Sequence, residues 1–154
     1  MNYIGVNMVK ATKMNLDTAS AKGYEIYSKA EYNGYEVEYS NGEPTRWIKE
    51  SDFDKFYRST DGMTFGLAVE AMKMGKKVAR KGWNGSNMFA VLSPGKEKLE
   101  ADKFFNLHLR DYANLIGGVM DVRPSFMLKT AQDDVAYWAP SGSDCLAEDW
   151  IVLE

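Results

Sequence analysis

The alternation of apolar and polar residues divides the chain into strand-length and helix-length segments. Residues 3–11 are rich in β-branched and aromatic types, which predicts a first strand, and a short helix is expected from about Asn15. In residues 34–40 tyrosine and valine alternate with glutamate, Asn41-Gly42 follows, and residues 45–48 form the second strand, which is the pattern of a tight hairpin. Ser51 is the predicted cap of a short helix that ends by Arg58.

A second series of elements begins at Thr64. Thr64 is the predicted cap of a helix that runs to about Met74, with a glycine directly after it as the terminator. Residues 76–81 and 88–92 read as two strands, and the Gly- and Asn-rich residues 82–87 between them read as a loop. This part of the chain therefore predicts a helix followed by a hairpin.

The last third of the chain mixes helical and strand patterns. Apolar residues recur at helical spacing within residues 96–117, which favours a helix there, and Arg123-Pro124 ends it. The other predicted elements are a hairpin over residues 125–130 and 135–138, a short helix capped by Ser141 or Ser143, and a last strand over residues 150–153.

The order of these elements predicts an α+β fold. Hairpins connect the strands in place of regular strand-helix-strand units, which favours an antiparallel β-sheet with a packed helix. The turn-rich residues 58–62 show no apolar period and are the predicted boundary between two parts. We expect a small N-terminal α+β module over residues 1–62 and a main domain over residues 63–154.

Composition and charge exclude several classes of function. The 154 residues carry a net charge of -3 with a pI near 5.3, whereas proteins that track long nucleic acids carry a basic excess. The single cysteine, Cys145, and the single histidine, His108, exclude an internal disulfide and a His/Cys metal cluster. No signal-peptide core or long apolar run is present, so a cytosolic location is expected.

Catalytic chemistry has little support in the sequence. His108 has no serine or cysteine partner at a recognisable spacing and reads as a structural or surface residue, and Cys145 reads as a small core residue. Neighbouring carboxylates, as in Asp133-Asp134, point apart and fit turn chemistry. No phosphate-binding loop or dinucleotide glycine pattern occurs. We therefore predict no catalytic residue, no metal and no cofactor.

A group of cations and aromatic rings around the two hairpins is the candidate ligand site. A purine needs flat rings to stack on, its phosphates need cationic or backbone donors, and its riboses need polar partners. All three kinds of group occur here, in cations at Lys76, Lys77, Arg80 and Lys81, in rings at Trp83, Phe89, Tyr137 and Trp138, and in the polar loop 139–144. Two other interpretations stay open at this point: the cations as a solvated strand edge, and the tryptophans as core residues.

Three blocks of sequence resemble a known phage family. Residues 63–85, 127–131 and 138–150 are together similar to the second type of Thoeris anti-defence protein, formerly a domain of unknown function. The resemblance covers about three-fifths of the chain and implies a phage protein that acts in the cytoplasm of the infected bacterial host. Such a protein binds the glyco-cyclic ADP-ribose signal of Thoeris defence without cleaving it.

The resemblance also implies partners and residue roles. Related proteins are associated with cyclic dinucleotides of a second defence pathway, and the family forms homotetramers with ligand sites shared between subunits. The roles carried over are stacking for Trp83 and Trp138, turn polar groups for Asn84 and Asn87, and hydrogen bonding for Ser141, Ser143 and Asp144. With the residues found above, the candidate ligand-binding set is Arg80, Lys81, Trp83, Asn84, Asn87, Phe89, Tyr137, Trp138, Ser141, Ser143 and Asp144.

Two segments depart from the family pattern. Residues 96–123 are longer than the usual connection, which would alter a loop near the site or at the oligomer contact, and residues 1–62 lie outside the family core. That N-terminal part is similar to a small accessory module of phage proteins. The alternative functions are an enzyme that degrades the same signal and a virion or protein-interaction module.

Overall fold

The computed structural model describes residues 6–26 and 32–154. Contacts between Cα atoms divide the chain into two compact units, Met1–Ser59 and Thr60–Glu154. In the described residues both units combine helices with antiparallel strands, which confirms the predicted α+β class. No helix in these residues has both the length and the apolar character needed to cross a membrane.

In the described residues of the first unit, a three-stranded antiparallel sheet is combined with two short helices. Strand β2 lies in the centre, with β1 and β3 on either side. The elements are β1 (Val9–Asn15), α1 (Leu16–Ala21), β2 (Asn33–Tyr39), β3 (Arg46–Lys49) and α2 (Glu50–Phe56).

The predicted hairpin is confirmed, whereas the first strand begins later than predicted. Strand β1 pairs with β2 from Val9 to Asn15, and residues 3–5 of the predicted strand lie outside the described residues. The short helix begins where it was expected, and Asn15 caps it by accepting a hydrogen bond from the Thr18 amide at 2.9 Å. Ser51 is not the cap of α2, because that helix already begins at Glu50.

Aromatic stacking joins α2 to the sheet of the first unit. Phe53 stacks on Tyr35 with ring centroids 4.2 Å apart and on Tyr57 at 4.7 Å. Val37, in the centre of β2, is fully buried. The alternation that predicted the hairpin therefore also placed these apolar side chains on one face of the sheet.

Gly34→Ala should destabilise the first unit. A Cβ atom at Gly34 would lie 2.5 Å from the Ile48 carbonyl oxygen and 2.5 Å from Cζ2 of Trp47, and the backbone oxygen cannot move aside cheaply. We expect a loss of about 1–3 kcal/mol in the free energy of unfolding, as for other overpacked sites. Calorimetric unfolding of the full chain measures it. In the control Gly66→Ala the nearest atom lies at 3.9 Å, so that variant should lose nothing, and an equal loss in both variants would contradict the argument.

The second unit is built on a six-stranded antiparallel sheet with the order β10-β9-β6-β5-β11-β4, and a separate two-stranded sheet pairs β7 with β8. Its elements are β4 (Asp61–Met63), α3 (Phe65–Lys73), β5 (Lys77–Arg80), β6 (Phe89–Ser93), β7 (Lys96–Glu100), a 3-10 turn (Ala101–Lys103), α4 (Leu107–Leu115), β8 (Val119–Val122), β9 (Ser125–Lys129), β10 (Val135–Tyr137), α5 (Gly142–Cys145) and β11 (Trp150–Leu153).

Helix α3 packs on one face of the six-stranded sheet. Thr64 caps it as predicted, and its small buried residues Ala68 and Ala71 allow close approach to β5, β6 and β11. On the sheet, Val78 pairs with Ala90 on one side, and both side chains are fully buried. The core of the second unit therefore lies between α3 and the centre of the sheet.

The prediction of one helix over residues 96–117 is wrong in part. Helix α4 exists, and Asn106 caps it, but residues 96–100 form β7 and pair with β8 from Lys96↔Val122 to Glu100↔Val119. This pairing joins residues far apart in sequence, so a local helical period could not show it. The predicted boundary at residues 58–62 also overlaps a strand. Strand β4 begins at Asp61 and pairs with β11.

Candidate functional site

Five aromatic side chains form a cluster at one end of the α3 face of the sheet. Trp150 is fully buried at its centre, and the indoles of Trp83 and Trp138 contact it with ring centroids 5.4 Å and 6.0 Å away. Phe65 and Phe126 complete the cluster. Trp83 and Trp138 are half-buried, in contrast to Trp150.

The two half-buried indoles meet edge to face. Trp83 and Trp138 have ring centroids 5.8 Å apart and an interplanar angle of 88°. Edge-to-face packing is favourable for aromatic rings. It holds the two indole planes nearly perpendicular to each other. Trp138 comes from the end of β10 and Trp83 from the loop after β5, so the sheet brings together two segments 55 residues apart in sequence.

Asp144 connects the two loops that border the cluster. Its Oδ1 accepts hydrogen bonds from Arg80 Nη1 at 3.0 Å and from Trp83 Nε1 at 3.2 Å. Its Oδ2 accepts from the Ser141 amide at 3.0 Å and from Ser141 Oγ at 2.7 Å, which makes Asp144 part of the capping box of α5. One carboxylate therefore holds the orientation of the Trp83 indole and the position of the 141–145 turn.

Asp149 is a second anchor, and it is not among the predicted site residues. Its Oδ1 accepts from Arg80 Nε at 2.8 Å, and its Oδ2 accepts from the Gly82 amide at 2.8 Å. A Cβ atom at Gly82 would lie 2.8 Å from Asp149 Oδ2, so glycine permits this close approach. One feature of the sequence pointed to this role, because Asp149 lies directly before the last predicted strand. In the structure that strand, β11, pairs with β5, which carries Arg80.

The charges of this network are strongly stabilised. Burial by itself would raise the pKa of Asp144, but hydrogen bonds from Ser141, Arg80 and Trp83 outweigh it and lower the pKa to about 2. The hydrogen bond from Arg80 lowers the pKa of Asp149 as well. Both carboxylates are therefore ionised at neutral pH. The Arg80 side chain, which is 19% exposed, lies between these two negative charges.

The structure brings most of the predicted site residues together. Trp83, Trp138, Ser141 and Asp144 lie at the aromatic cluster and its network, and Ser143 contacts Ser141 through the hydroxyls at 2.9 Å. Asn84 and Asn87 lie exposed in the loop that follows Trp83, where Asn87 adopts a φ of 56°.

Three of the predicted residues, Phe89, Tyr137 and Lys81, have other surroundings, and Arg80 has partners within the network. Strand alternation places Phe89 and Tyr137 on the sheet face opposite α3; Lys77 Nζ lies 5.7 Å from the Phe89 ring, and Tyr137 is 80% exposed. Lys81 Nζ contacts Asp61 Oδ1 at 3.0 Å. Arg80 is engaged with the two carboxylates, so a phosphate would have to compete with both of them.

The predicted core role of Cys145 is wrong, because this side chain is exposed at the end of the one-turn helix α5. His108 is exposed on α4, in agreement with a surface role. Among the described residues no group of three or more His, Cys, Asp or Glu side chains is placed to hold a metal ion. The arrangement around the cluster offers rings and hydrogen-bonding groups for a flat, polar ligand.

Comparison with known proteins identifies the second unit. The family model described as Thoeris anti-defense 2-like domain matches residues 63–153. The chain belongs to the Thoeris anti-defense 2-like family. It is also 38% identical over 93 residues to a protein named Thoeris anti-defense 2 from Bacillus phage SP01, a match that covers 59% of this chain and 94% of the relative.

Membership in the Thoeris anti-defense 2-like family gives the chain a phage anti-defence role. The matched relative is named as an anti-defence protein and not as an enzyme. The matched residues include the whole aromatic cluster and the network of Arg80, Asp144 and Asp149, whereas the first unit lies outside the match.

Proposed function

We propose that this chain blocks bacterial defence by binding cyclic nucleotide signals and withholding them from their receptor, with no chemical change to the signal. The ligands are a cyclic ADP-ribose-type signal, such as the glyco-cyclic ADP-ribose of Thoeris, and cyclic dinucleotides of a second pathway. The observation that carries the proposal is the pair of half-buried indoles, Trp83 and Trp138, whose rings meet at 88° while Trp83 donates a hydrogen bond to Asp144. The protein acts in the cytoplasm of the infected host.

A fixed pair of rings suits a protein that acts by stoichiometry. Rings that are already ordered lose little side-chain entropy on binding, so more of the stacking energy appears as affinity. Asp144 and Arg80 supply that order, because they tie the Trp83 indole and the Ser141 turn to the sheet. In this proposal Arg80 and Asp144 position the site, while Trp83, Trp138, Asn84, Asn87 and the hydroxyls of Ser141 and Ser143 meet the ligand.

The energy needed for tight binding favours a site shared between subunits. Stacking contributes about 1–3 kcal/mol per base, so two indoles supply at most about 6 kcal/mol. A nanomolar dissociation constant needs about 12 kcal/mol. We therefore include self-association, as a homotetramer, in the proposed function, because residues from a neighbouring subunit would supply the remaining contacts to the base, ribose and phosphates.

Calorimetric titration tests the proposed binding. The full chain is titrated with cyclic ADP-ribose isomers and with a panel of cyclic dinucleotides, and linear ADP-ribose serves as the control ligand. At least one cyclic compound should saturate the protein at a fixed ratio of ligand to chain with a submicromolar dissociation constant. No heat with any of these compounds would overturn the proposal and would favour a protein-interaction module.

A further inference from the structure

A cavity of about 430 Å³ lies in the first unit, which is outside the residues matched by the family model. Residues 23–25, which follow α1, line one side of the cavity, and residues 44–47, at the start of β3, line the other side. Its volume is in the range of protein sites that take a small ligand or a side chain. The cavity therefore belongs to a different unit from the aromatic cluster.

Two aromatic rings of the cavity wall are held by contacts within the unit. The Tyr24 hydroxyl donates to Glu36 Oε1 at 2.6 Å, and Trp47 Nε1 donates to the Met14 carbonyl oxygen at 2.9 Å. Gly34 permits the position of the indole, because a Cβ atom there would lie 2.5 Å from Cζ2 of Trp47. Since the hydrogen-bond donors of both rings are already used, the rings offer mainly carbon surface. The cavity therefore suits an apolar group that meets walls which are already ordered.

The cavity borders the outer edge of strand β3. On one side β3 pairs with β2, and on its other side no strand of the described residues pairs with it. Glu36 lies opposite Trp47 in the register, so the Tyr24 hydroxyl and the Trp47 side chain are on the same face of the sheet. An open strand edge beside a side-chain pocket is an arrangement with which proteins bind an extended peptide. Main-chain hydrogen bonds add the peptide as a strand, and the pocket takes one of its side chains.

The other face of β3 favours a negative charge on such a peptide. Arg46 lies opposite the buried Val37, so strand alternation places its side chain on the face away from Trp47. Arg46 is exposed, and within the described part of the chain it has neither a hydrogen bond nor an ion pair from its side chain. Side chains of an added strand alternate between the two faces, so a peptide residue next to the one in the cavity lies on the face of Arg46. A carboxylate there would form a cross-strand ion pair.

We propose that the first unit binds an extended, acidic peptide segment of a partner protein along the outer edge of β3. One apolar side chain of the peptide enters the cavity beside Tyr24 and Trp47, and an Asp or Glu next to it in the peptide pairs with Arg46. Strand β3 has four residues, so the paired part of the peptide is about as long. This inference goes beyond the proposed function, because it uses no residue of the second unit.

Selection from a displayed library of random peptides, with the full chain as bait, tests the proposal. Enriched peptides should share an apolar residue next to an Asp or Glu, and a synthetic peptide of that consensus should bind the full chain in a fluorescence anisotropy titration. Arg46→Glu should weaken this binding at least about 10-fold, whereas Lys10→Glu, at an exposed cation of the opposite edge strand β1, should leave it unchanged. No enriched consensus, or equal binding by the two variants, would overturn the proposal.

Two variants of Tyr24 test the cavity with the same consensus peptide. Tyr24→Ala removes one ring from the cavity wall and should weaken binding at least about 10-fold. Tyr24→Phe keeps the ring and loses only the hydroxyl that donates to Glu36, so it should bind like the unmodified chain. Unmodified binding by Tyr24→Ala would take the cavity out of the site and contradict the proposal.

Methylated peptides give a readout that does not depend on the stability of any variant. In a paired strand, alternate backbone groups face the neighbouring strand. N-methylation of one alternate set of amides in the consensus peptide should therefore weaken binding at least about 10-fold, whereas methylation of the other set should leave it nearly unchanged. Equal effects of the two sets would show that the peptide does not add to β3 as a strand.

Discussion

Asp144→Asn should lower the free energy of unfolding of the second unit by about 2–4 kcal/mol, the usual range for breaking a largely buried ion pair. The asparagine amide cannot accept hydrogen bonds on both sides, so its NH2 group would face either the two Ser141 donors or the donors of Arg80 and Trp83. Only 12% of the Asp144 side chain is exposed, so water cannot replace the lost partners fully.

Urea unfolding measures this loss best in a Trp47→Phe background, in which the other three tryptophans, all in the second unit, report the transition. The control is Asp133→Asn, whose side chain is 84% exposed and which should change stability by no more than about 0.5 kcal/mol. Equal midpoints for the two variants would show that the Asp144 network does not stabilise the unit.

The same carboxylate predicts how stability changes with pH. The pKa of Asp144 in the folded chain, about 2, lies below the ordinary value of 3.8, so its stabilisation is fully present above about pH 4 and is lost as the pH falls toward 2. The expected contribution is about 2 kcal/mol. Asp144→Asn should therefore show a shallower loss of stability between pH 4 and 2 than the unmodified chain, and identical slopes would contradict the assigned role.

The second large effect is expected on ligand affinity. Trp83→Ala and Trp138→Ala should each weaken binding of a cyclic nucleotide by about 1–3 kcal/mol, or roughly 5- to 150-fold, because each removes one stacking surface. Both indoles are half-buried, and Trp150 stays in place as the centre of the cluster. Calorimetric titration of variants that keep the circular dichroism spectrum of the unmodified chain measures the effect.

Trp83→Phe separates stacking from positioning. Phenylalanine keeps a flat ring but lacks the Nε1 group that donates to Asp144, so its affinity should lie between those of the unmodified chain and Trp83→Ala. Trp47→Phe, in the first unit, serves as the control and should bind normally. Unmodified affinity in both Trp83→Ala and Trp138→Ala would remove the indoles from the site.

The sequence predicted the elements whose signals are local. The Asn-Gly hairpin, the Thr64 cap of α3, the second hairpin and the last strand all follow from turn chemistry, capping and two-residue alternation. The pairing of β7 with β8 was missed because its partners are about 20 residues apart and share no local period. The pairing of β4 with β11 was missed for the same reason, because residues 58–62 carry no local pattern that indicates it.

The candidate site was foreseen in its residue types and not in its internal contacts. Trp83, Trp138 and the Ser141 turn were recognisable as neighbours because they flank paired hairpins. The ion pairs of Arg80 with Asp144 and Asp149 depend on the register of β5 against β11, which no single-segment pattern contains. Those contacts show that Arg80 joins Asp144 and Asp149, while its role toward a phosphate stays a prediction.

Recovery of the bound ligand shows whether the protein sequesters the signal or cleaves it. The full chain is mixed with a substoichiometric amount of the best-binding cyclic nucleotide, unbound ligand is removed by filtration, the complex is denatured by heat, and the released ligand is analysed by chromatography and mass. We expect the protein to retain nearly all of the ligand and to release it with unchanged mass and retention time. Recovery of a linear or cleaved product in place of the cyclic compound would contradict sequestration and show that the protein is an enzyme.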